Sequence, residues 1–395
     1  MDTMSLSDEN LLDVLRYWSY WDVPPSSAVP RRLELPESLD PDLALVIQGV
    51  RRCGKSTLLG QMLERYRLDS GRCVFVNFED PRLLAHLQSD LLFRIVSLFE
   101  QRNPGASHLT FLFDEIQNVP QWESFLHTHL ERPRHRFVVT GSNASLLSGE
   151  LSTQLTGRYR VAELYPFDFK EAGVASEEVD VRRYLTQGGF PRIVLRGGDL
   201  ALRQQYFRDI VERDISNRVG ARDSGPVLRV LQMAFESCGS EMSLRRIAAA
   251  NGISPETAGI YLEAAEQAYL LFACPYFTYS SRKQAVRNKK YYPIDPGLRL
   301  AVVSSSSPDL GKALEITVFL ALRRKYGKVF YWRDRGEVDF VVMREGKALP
   351  IQVTWDGTKH RHQQSLEEFY EAHPHAGEAV FLTHSDLMDD FRRMP

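Results

Sequence analysis

The stretch Gly49-Val50-Arg51-Arg52-Cys53-Gly54-Lys55-Ser56-Thr57 carries two glycines separated by four residues, then a lysine and two hydroxyl side chains. Glycines let a backbone curl until successive N–H groups face one anionic centre. A helix starting at Lys55 adds the favourable potential of its N-terminus, Lys55 is spaced to reach the outer phosphates of a polyphosphate, and the Ser56 hydroxyl can ligate Mg²⁺. All nine residues are therefore candidate nucleotide contacts. Farther along, Asp114-Glu115 closes an apolar run. In this chemistry Asp114 holds Mg²⁺ directly or through water, and Glu115 accepts a proton from, or orients, an attacking water. Loop and acid pair together specify hydrolysis of a nucleoside triphosphate, with Lys55 and Glu115 as catalytic residues.

These residues need elements to position them. Leu45-Val46-Ile47-Gln48 is an apolar strand leading into the loop, and Leu58 to Tyr66 continues from it as a helix. Cys73 to Phe78 reads as a second strand ending at Glu79-Asp80, Leu83 to Phe99 as a helix, His108 to Glu115 as a third strand and Phe137 to Asn143 as a fourth. Strands alternating with helices predict a parallel sheet whose working residues sit at the carboxyl ends of its strands. Ser142 and Asn143 end the fourth strand, between the two strands of the phosphate site. They are candidate sensors of the terminal phosphate or of the water, and equally a helix cap before Ala144 to Leu147. Arg158, beside Gly157, is either an arginine finger, in cis or across a subunit interface, or a solvated side chain. Leu11, Leu12, Leu15, Trp18 and Trp21 recur at helical spacing before Pro24-Pro25, which predicts an amphipathic helix packed on the nucleotide domain. Arg31 and Arg32 receive no role.

The 395 residues correspond to roughly two to three domains. A hydrophobic share of 43% and a charged share of 25% are those of a globular chain, not of a disordered or fibrous one. With a net charge of −2, any contact with nucleic acid must come from a local patch. Cys53, Cys73, Cys238 and Cys274 are far apart and form no CxxC pair, which argues against a zinc site or a disulfide framework and for a reducing, cytoplasmic setting. No apolar run approaches the length needed to cross a bilayer, and the N-terminus lacks a signal pattern, so no membrane partner is expected.

Between Asp180 and Phe235 a helical pattern rich in Arg and Asp predicts a connector or lid, in which Arg203, Arg208 and Arg213 are solvated or paired. Met242 to Ala248, then Asn251-Gly252-Ile253-Ser254-Pro255, then Glu256 to Leu262 has helix-turn-helix punctuation, with Ser254 as a cap and Pro255 at the first helical position. Phe277 to Tyr292 reads as two short strands around Arg282, Lys283, Arg287, Lys289 and Lys290, with no acid among them. The assembly expected is a winged helix with a basic wing that tracks DNA phosphates. The second helix, Ser254 to Glu266, is acidic, which favours backbone contact over base reading and leaves docking of a protein partner open. Ser304 to Ser307 with Pro308 marks a linker.

Five segments in this order, Gly49 to Leu59, Asn77 to Leu83, Phe113-Asp114-Glu115-Ile116-Gln117, Thr140-Gly141-Ser142 and Gly157-Arg158-Tyr159, resemble the prokaryotic ATPases of the AAA+ superfamily that carry a C-terminal domain of uncharacterised function. The resemblance implies ATP as the nucleotide, Ser142 or Asn143 as sensor and Arg158 as the finger. Beyond the linker, a helix bearing Glu315 and three strands, with Asp339 in the second, resemble the restriction-endonuclease-like nuclease fold. That resemblance implies a divalent metal held by acids and a lysine polarising the water. Glu315 and Asp339 match, whereas Gln352 and Thr354 stand where an acid and a lysine are usual, so a retained fold with lost or weak cutting is expected. Lys359 is the one substitute lysine nearby.

The fold class expected is α/β, a P-loop NTPase parallel sheet of AAA+ type followed by a helical and winged-helix region and a small α/β nuclease-like domain. Its parts are a lead-in over 1–40, the ATPase over 41–170, a connector over 171–235, the winged helix over 236–303 and the last domain over 308–395. The function expected is Mg²⁺-dependent ATP binding and hydrolysis coupled to DNA association. The alternatives are an ATP-dependent switch for a protein partner and an ATP-regulated nuclease. DNA, another copy of the chain and a protein are the candidate partners.

Overall fold

The computed structural model describes residues 6–26, 28–144, 155, 157–304, 307–356, 360–389, 391 and 394. The chain divides into two compact units, 1–165 and 166–395.

The first unit is built on five parallel strands, β1 (Ala44–Gln48), β2 (Cys73–Asn77), β3 (Thr110–Asp114), β4 (Arg136–Gly141) and β5 (Tyr159–Glu163), in the order β2-β3-β4-β1-β5. β1 to β3 are apolar runs buried along almost their whole length, as strands covered on both faces must be. Helices α1 (Asp8–Trp18), α2 (Lys55–Arg65), α3 (Ser89–Arg102) and α4 (Trp122–Glu131) accompany the sheet. Because β4 lies between β3 and β1, the carboxyl ends of these three parallel strands are neighbours, and the loops after them share one crevice. Phe111, Phe113, Phe125 and Phe137 form an aromatic core beneath it.

The amphipathic reading of the N-terminal helix holds, and its apolar stripe is core. Ser7 caps α1 by accepting from Asn10 N at 3.2 Å, and Leu11, Val14 and Leu15 are buried. The Trp18 indole donates to Asp80 at 2.7 Å, and that of Trp21 donates to the Cys73 carbonyl at 2.7 Å, which fastens this segment beside β2. β5 was not expected as a strand. It is an edge strand with Arg160 and Val161 exposed, so it lacks the apolar run that marks a buried one.

The second unit opens with α5 (Phe169–Ala175), α6 (Val181–Gln187), α7 (Pro191–Leu195) and α8 (Leu200–Ile210), continued by a π-helical turn at Val211–Ser216. After α9 (Gly225–Glu236) come α10 (Leu244–Asn251) and α11 (Pro255–Gln267), the expected helix-turn-helix pair. Gly252 closes α10 at φ 64°, and Ser254 caps α11 by accepting from Thr257 N at 3.1 Å. Two antiparallel strands follow, β6 (Leu271–Cys274) and β7 (Lys290–Pro293); the second falls at the end of the Phe277 to Tyr292 stretch expected to hold both, and the first lies before it. The connection between them runs along a third strand, where Phe277 is buried, and carries the short helix α12 (Ser281–Val286) capped by Ser280.

After α13 (Pro296–Val302) and α14 (Leu310–Tyr326) comes a four-stranded sheet of β8 (Phe330–Arg333), β9 (Glu337–Arg344), β10 (Lys347–Val353) and β11 (Val380–Leu382), in the order β11-β10-β9-β8. Helix α15 (His360–Ala372) covers it, and α16 (His384–Met388) ends the chain's regular structure. Phe277 N donates to Tyr331 O at 2.6 Å and Tyr331 N to Pro275 O at 3.0 Å, so the expected wing is joined to the edge of this sheet. The Ser304 to Ser307 linker lies partly outside the described residues, as does Lys359 wholly.

Candidate functional site

The phosphate loop leaves the carboxyl end of β1 and enters α2 at Lys55. Gly54 has φ 103° and Arg52 φ 69°, the left-handed conformations that turn the chain back on itself. Gly49 packs so closely against the Leu164 carbonyl that no Cβ fits there. Lys55 is buried, and its Nζ donates to the carbonyls of Gly49 at 3.1 Å and Val50 at 3.4 Å, turning back over its own loop. Burial alone would lower its pKa, but Glu115 foremost, with Cys53 and Asp114, holds the ammonium above its ordinary value. Arg51 pairs with Glu79 at 2.8 Å, while Arg52, Ser56 and Thr57 are exposed at the mouth.

The acid pair closes the other side. Asp114 is fully buried at the end of β3. Its Oδ2 accepts from Ser56 Oγ at 2.6 Å and Asn77 Nδ2 at 3.0 Å, and its Oδ1 accepts from Thr140 Oγ1 at 2.5 Å. Burial, and then the charge of Glu115, push its pKa up to about 6. A buried carboxylate so placed, beside a serine hydroxyl, is the hard-oxygen donor set that suits Mg²⁺. Ser56 and Asp114 thus fit the ion, in company with phosphate oxygens.

Glu115 does not extend the third strand, as expected, but turns to φ 54°. Its backbone N–H donates to Thr140 Oγ1 at 3.1 Å, and this turn swings the carboxylate back over the loop. Oε1 lies 3.2 Å from Lys55 Nζ, while Oε2 accepts from Ser142 N at 3.2 Å, Ser142 Oγ at 3.1 Å and Gln117 Nε2 at 2.6 Å. Burial works to raise its pKa, but Lys55, the Gln117 hydrogen bond and Arg51 outweigh it and hold the group ionised.

Ser142 therefore reaches the acid pair, and Asn143 follows it in the next loop position. The competing helix cap before Ala144 to Leu147 lies mostly outside the described residues. Arg158 is corrected. β5 runs parallel to β1 with Ala44 opposite Tyr159, so Arg158 sits at the amino end of the sheet. The loop leaves the opposite end, about 16 Å away at roughly 3.3 Å per strand residue. Its guanidinium pairs with Glu131 at 2.7 Å, which removes it from the phosphate site of its own chain. Arg31, assigned nothing from the sequence, donates to Cys53 O at 2.8 Å and Tyr165 O at 2.6 Å and so braces the loop. Thr140 and Gln117 were likewise missed as site residues, though both stood inside quoted segments.

In the second unit, Glu315, Asp339 and Gln352 are brought into one partly buried cluster, along with two lysines, Lys312 and Lys290. Glu315 accepts from Tyr292 OH at 2.8 Å and from Lys312 at 2.6 Å. Asp339 accepts from Val353 N at 2.8 Å, and burial, then Glu315, push its pKa up to about 7. Gln352 Nε2 donates to the Glu337 carbonyl at 2.8 Å, which leaves it a strand-to-strand tie. Lys290 is a second correction. Its side chain is fully buried and paired with Glu337, so it is withdrawn from any nucleic-acid surface, whereas Arg282, Lys283, Arg287 and Lys289 are exposed. Among the described residues, no group of three or more His, Cys, Asp or Glu is arranged to hold a metal ion. All four cysteines are free and buried. No helix among the described residues is long and apolar enough to cross a membrane.

The family comparison matches an AAA domain over residues 42–173, and two domains of unknown function over 178–309 and 310–392. An uncharacterized protein of Haemophilus influenzae is 30% identical over 349 residues, covering 82% of this chain and 85% of that protein. One of Methanocaldococcus jannaschii is 29% identical, covering 94% of this chain and 86% of its own length. Among solved structures, the Thermotoga maritima RuvB Holliday junction branch migration motor is 17% identical, covering 58% of this chain and 81% of that one, at a TM-score of 0.30, too low to bear on function. The AAA match spans the strands and loops that carry Lys55, Asp114, Glu115 and Ser142. With 30% identity across 85% of the Haemophilus influenzae protein, the chain belongs to that protein's family, and residues 42–173 of this chain match an AAA domain.

Proposed function

We propose that the protein is a cytoplasmic, Mg²⁺-dependent ATPase whose first unit binds and hydrolyses ATP. The observation that carries this is the convergence of the two motifs: Ser56 Oγ lies 2.6 Å from Asp114 and Lys55 Nζ lies 3.2 Å from Glu115. Lys55 leaves the Gly49 and Val50 carbonyls and Glu115 for the phosphates, because a polyphosphate offers it more negative charge than they do. Ser56 and Asp114 would hold Mg²⁺, which when bound would neutralise phosphate charge. Glu115, freed of Lys55 at one oxygen, takes a proton from the attacking water, and Ser142, already bonded to that carboxylate, is the sensor favoured over Asn143. Lys55→Ala should lose ATP affinity, and Glu115→Gln should bind ATP without turning it over. Full turnover in both variants would refute the site.

The second unit is read as the coupling part, with a connector over 171–235, a winged helix over 236–303 and a last domain over 308–395. DNA association rests on the exposed cations Arg282, Lys283, Arg287 and Lys289 around α12. A protein partner, or another copy of the chain, is the second reading, favoured by α11, which presents Ile260 at 53% exposure between Glu256 and Glu263. Cutting of nucleic acid is not expected, because Lys312 and Lys290 occupy the carboxylates of Glu315 and Glu337. ATP turnover measured with and without duplex DNA separates the readings. Stimulation that is lost in Arg282→Ala/Lys283→Ala supports DNA, and turnover indifferent to DNA supports the protein partner.

A further inference from the structure

Gln117 lies two residues beyond Glu115, within the 3-10 turn Ile116–Asn118. Its Nε2 donates to Glu115 Oε2 at 2.6 Å. That bond fixes which way the amide faces, since turning it over would set a carbonyl oxygen against a carboxylate oxygen, two acceptors with no proton between them. The other end of the amide is then committed too. Gln117 Oε1 is buried and accepts no hydrogen bond among the described residues. A buried acceptor without a donor is unfavourable and asks for a functional account.

The two oxygens of Glu115 have different surroundings. Oε2 is saturated by Ser142 N, Ser142 Oγ and Gln117 Nε2, whereas Oε1 meets one cation, Lys55 at 3.2 Å. When phosphates draw Lys55 away, Oε1 becomes a bare carboxylate oxygen with the unpartnered Gln117 carbonyl oxygen on the same short turn. A water molecule has two protons to give to two such acceptors.

We propose that Gln117 is a second catalytic residue, which with Glu115 holds the attacking water. This rests on the ATPase reading above. The water oxygen forms a bond to the terminal phosphorus as the bond from that phosphorus to the bridging oxygen breaks, and ADP leaves with the electron pair. One water proton passes to Glu115 Oε1, and the other is held in a hydrogen bond to Gln117 Oε1. The products are ADP and inorganic phosphate, and the proton on Glu115 is then released.

The test uses the full chain and three variants, with steady-state ATP hydrolysis and equilibrium binding of a fluorescent ATP analogue as readouts. Gln117→Leu keeps the bulk and removes both amide functions. It should lower kcat about 100-fold, as misplacing a reacting group by about 1 Å does, with KM and analogue affinity within about twofold of wild type. Gln117→Lys restores a donor to Glu115 but no acceptor, and should stay as slow as Gln117→Leu. Recovery of wild-type kcat in Gln117→Lys would reduce Gln117 to an anchor for Glu115 and overturn the proposal. Loss of analogue affinity in Gln117→Leu would make it a builder of the pocket and overturn it as well. Glu115→Gln keeps the two readings apart: if it turns over normally the ATPase site itself fails, whereas an inert Glu115→Gln beside a fully active Gln117→Leu sinks only the role of Gln117.

Discussion

Replacing Glu337 by Gln should damage the second unit far more than replacing Lys290 by Met, although both changes break the same ion pair. Lys290 is fully buried on β7, with its ammonium on Glu337 and 5.0 Å from the Tyr331 ring, whereas the Glu337 side chain is 34% exposed. Glu337→Gln therefore takes the direct ion pair from a buried charge and leaves it only the field of Asp339, and removing one partner of a buried pair costs about 3–5 kcal/mol. Lys290→Met keeps much of the volume and leaves Glu337 free to face solvent and Arg333 at 3.8 Å, a loss of about 1 kcal/mol, as for an exposed pair. At roughly 2–4 °C per kcal/mol for a unit of this size, the melting transition should fall by about 10 °C in Glu337→Gln and about 3 °C in Lys290→Met. The double variant should melt close to Lys290→Met, because the charge that made Glu337→Gln costly is then gone. Differential scanning fluorimetry of the four full-length proteins reads this directly. Equal losses from both single variants, or additive losses in the double, would refute the reasoning and return Lys290 to the solvent.

Two further outcomes follow from the first unit. The Asp80 carboxyl is held down to about 2 by its hydrogen bonds from Arg82, with help from the Trp18 indole. Its folded pKa lies below the unfolded one, so its stabilising effect is complete above about pH 4 and fades as pH falls toward 2. The Trp18 end of α1 should loosen in that window, seen as a red shift of tryptophan emission that is missing in Trp18→Phe. Thr140→Val removes a hydroxyl that donates to Asp114 at 2.5 Å and accepts from Glu115 N at 3.1 Å. It should cost about 2–4 kcal/mol of stability and lower kcat, with Thr140→Ser close to wild type. A Thr140→Val protein that melts and turns over like wild type would show that neither bond matters.

The parts of the site legible in the sequence are those whose chemistry is local. The loop from Gly49 to Thr57 needs its glycines and its lysine at fixed spacing, whatever packs around them, and an apolar strand ending in Asp114 places that acid at the sheet's carboxyl edge by topology alone. The helix-turn-helix punctuation at Gly252, Ser254 and Pro255 is equally local. Arg158 as a finger for the site of its own chain failed for the opposite reason. Its motif has the right residues, but which end of a strand an arginine occupies depends on where the strand starts, and the half-exposed edge strand β5 gives a weak signal of that. Lys290 failed similarly, since a cation among cations in sequence is indistinguishable from its neighbours until an acid from β9 meets it.

Glu115 shows where the two kinds of information join. As a residue type after an apolar strand it reads as the proton acceptor, but a strand pattern gives no hint of φ 54°, a conformation that glycine or asparagine would adopt more readily. What holds it is non-local: the Thr140 hydroxyl on β4 takes its backbone N–H, and Ser142 takes its carboxylate. Because Thr140 also holds Asp114, one fully buried side chain fixes both acids against the neighbouring strand. The strained turn is then what carries the carboxylate from the sheet's edge to a point 3.2 Å from Lys55. An extended Glu115 would follow the alternation of β3 and place its side chain off the loop and away from Lys55.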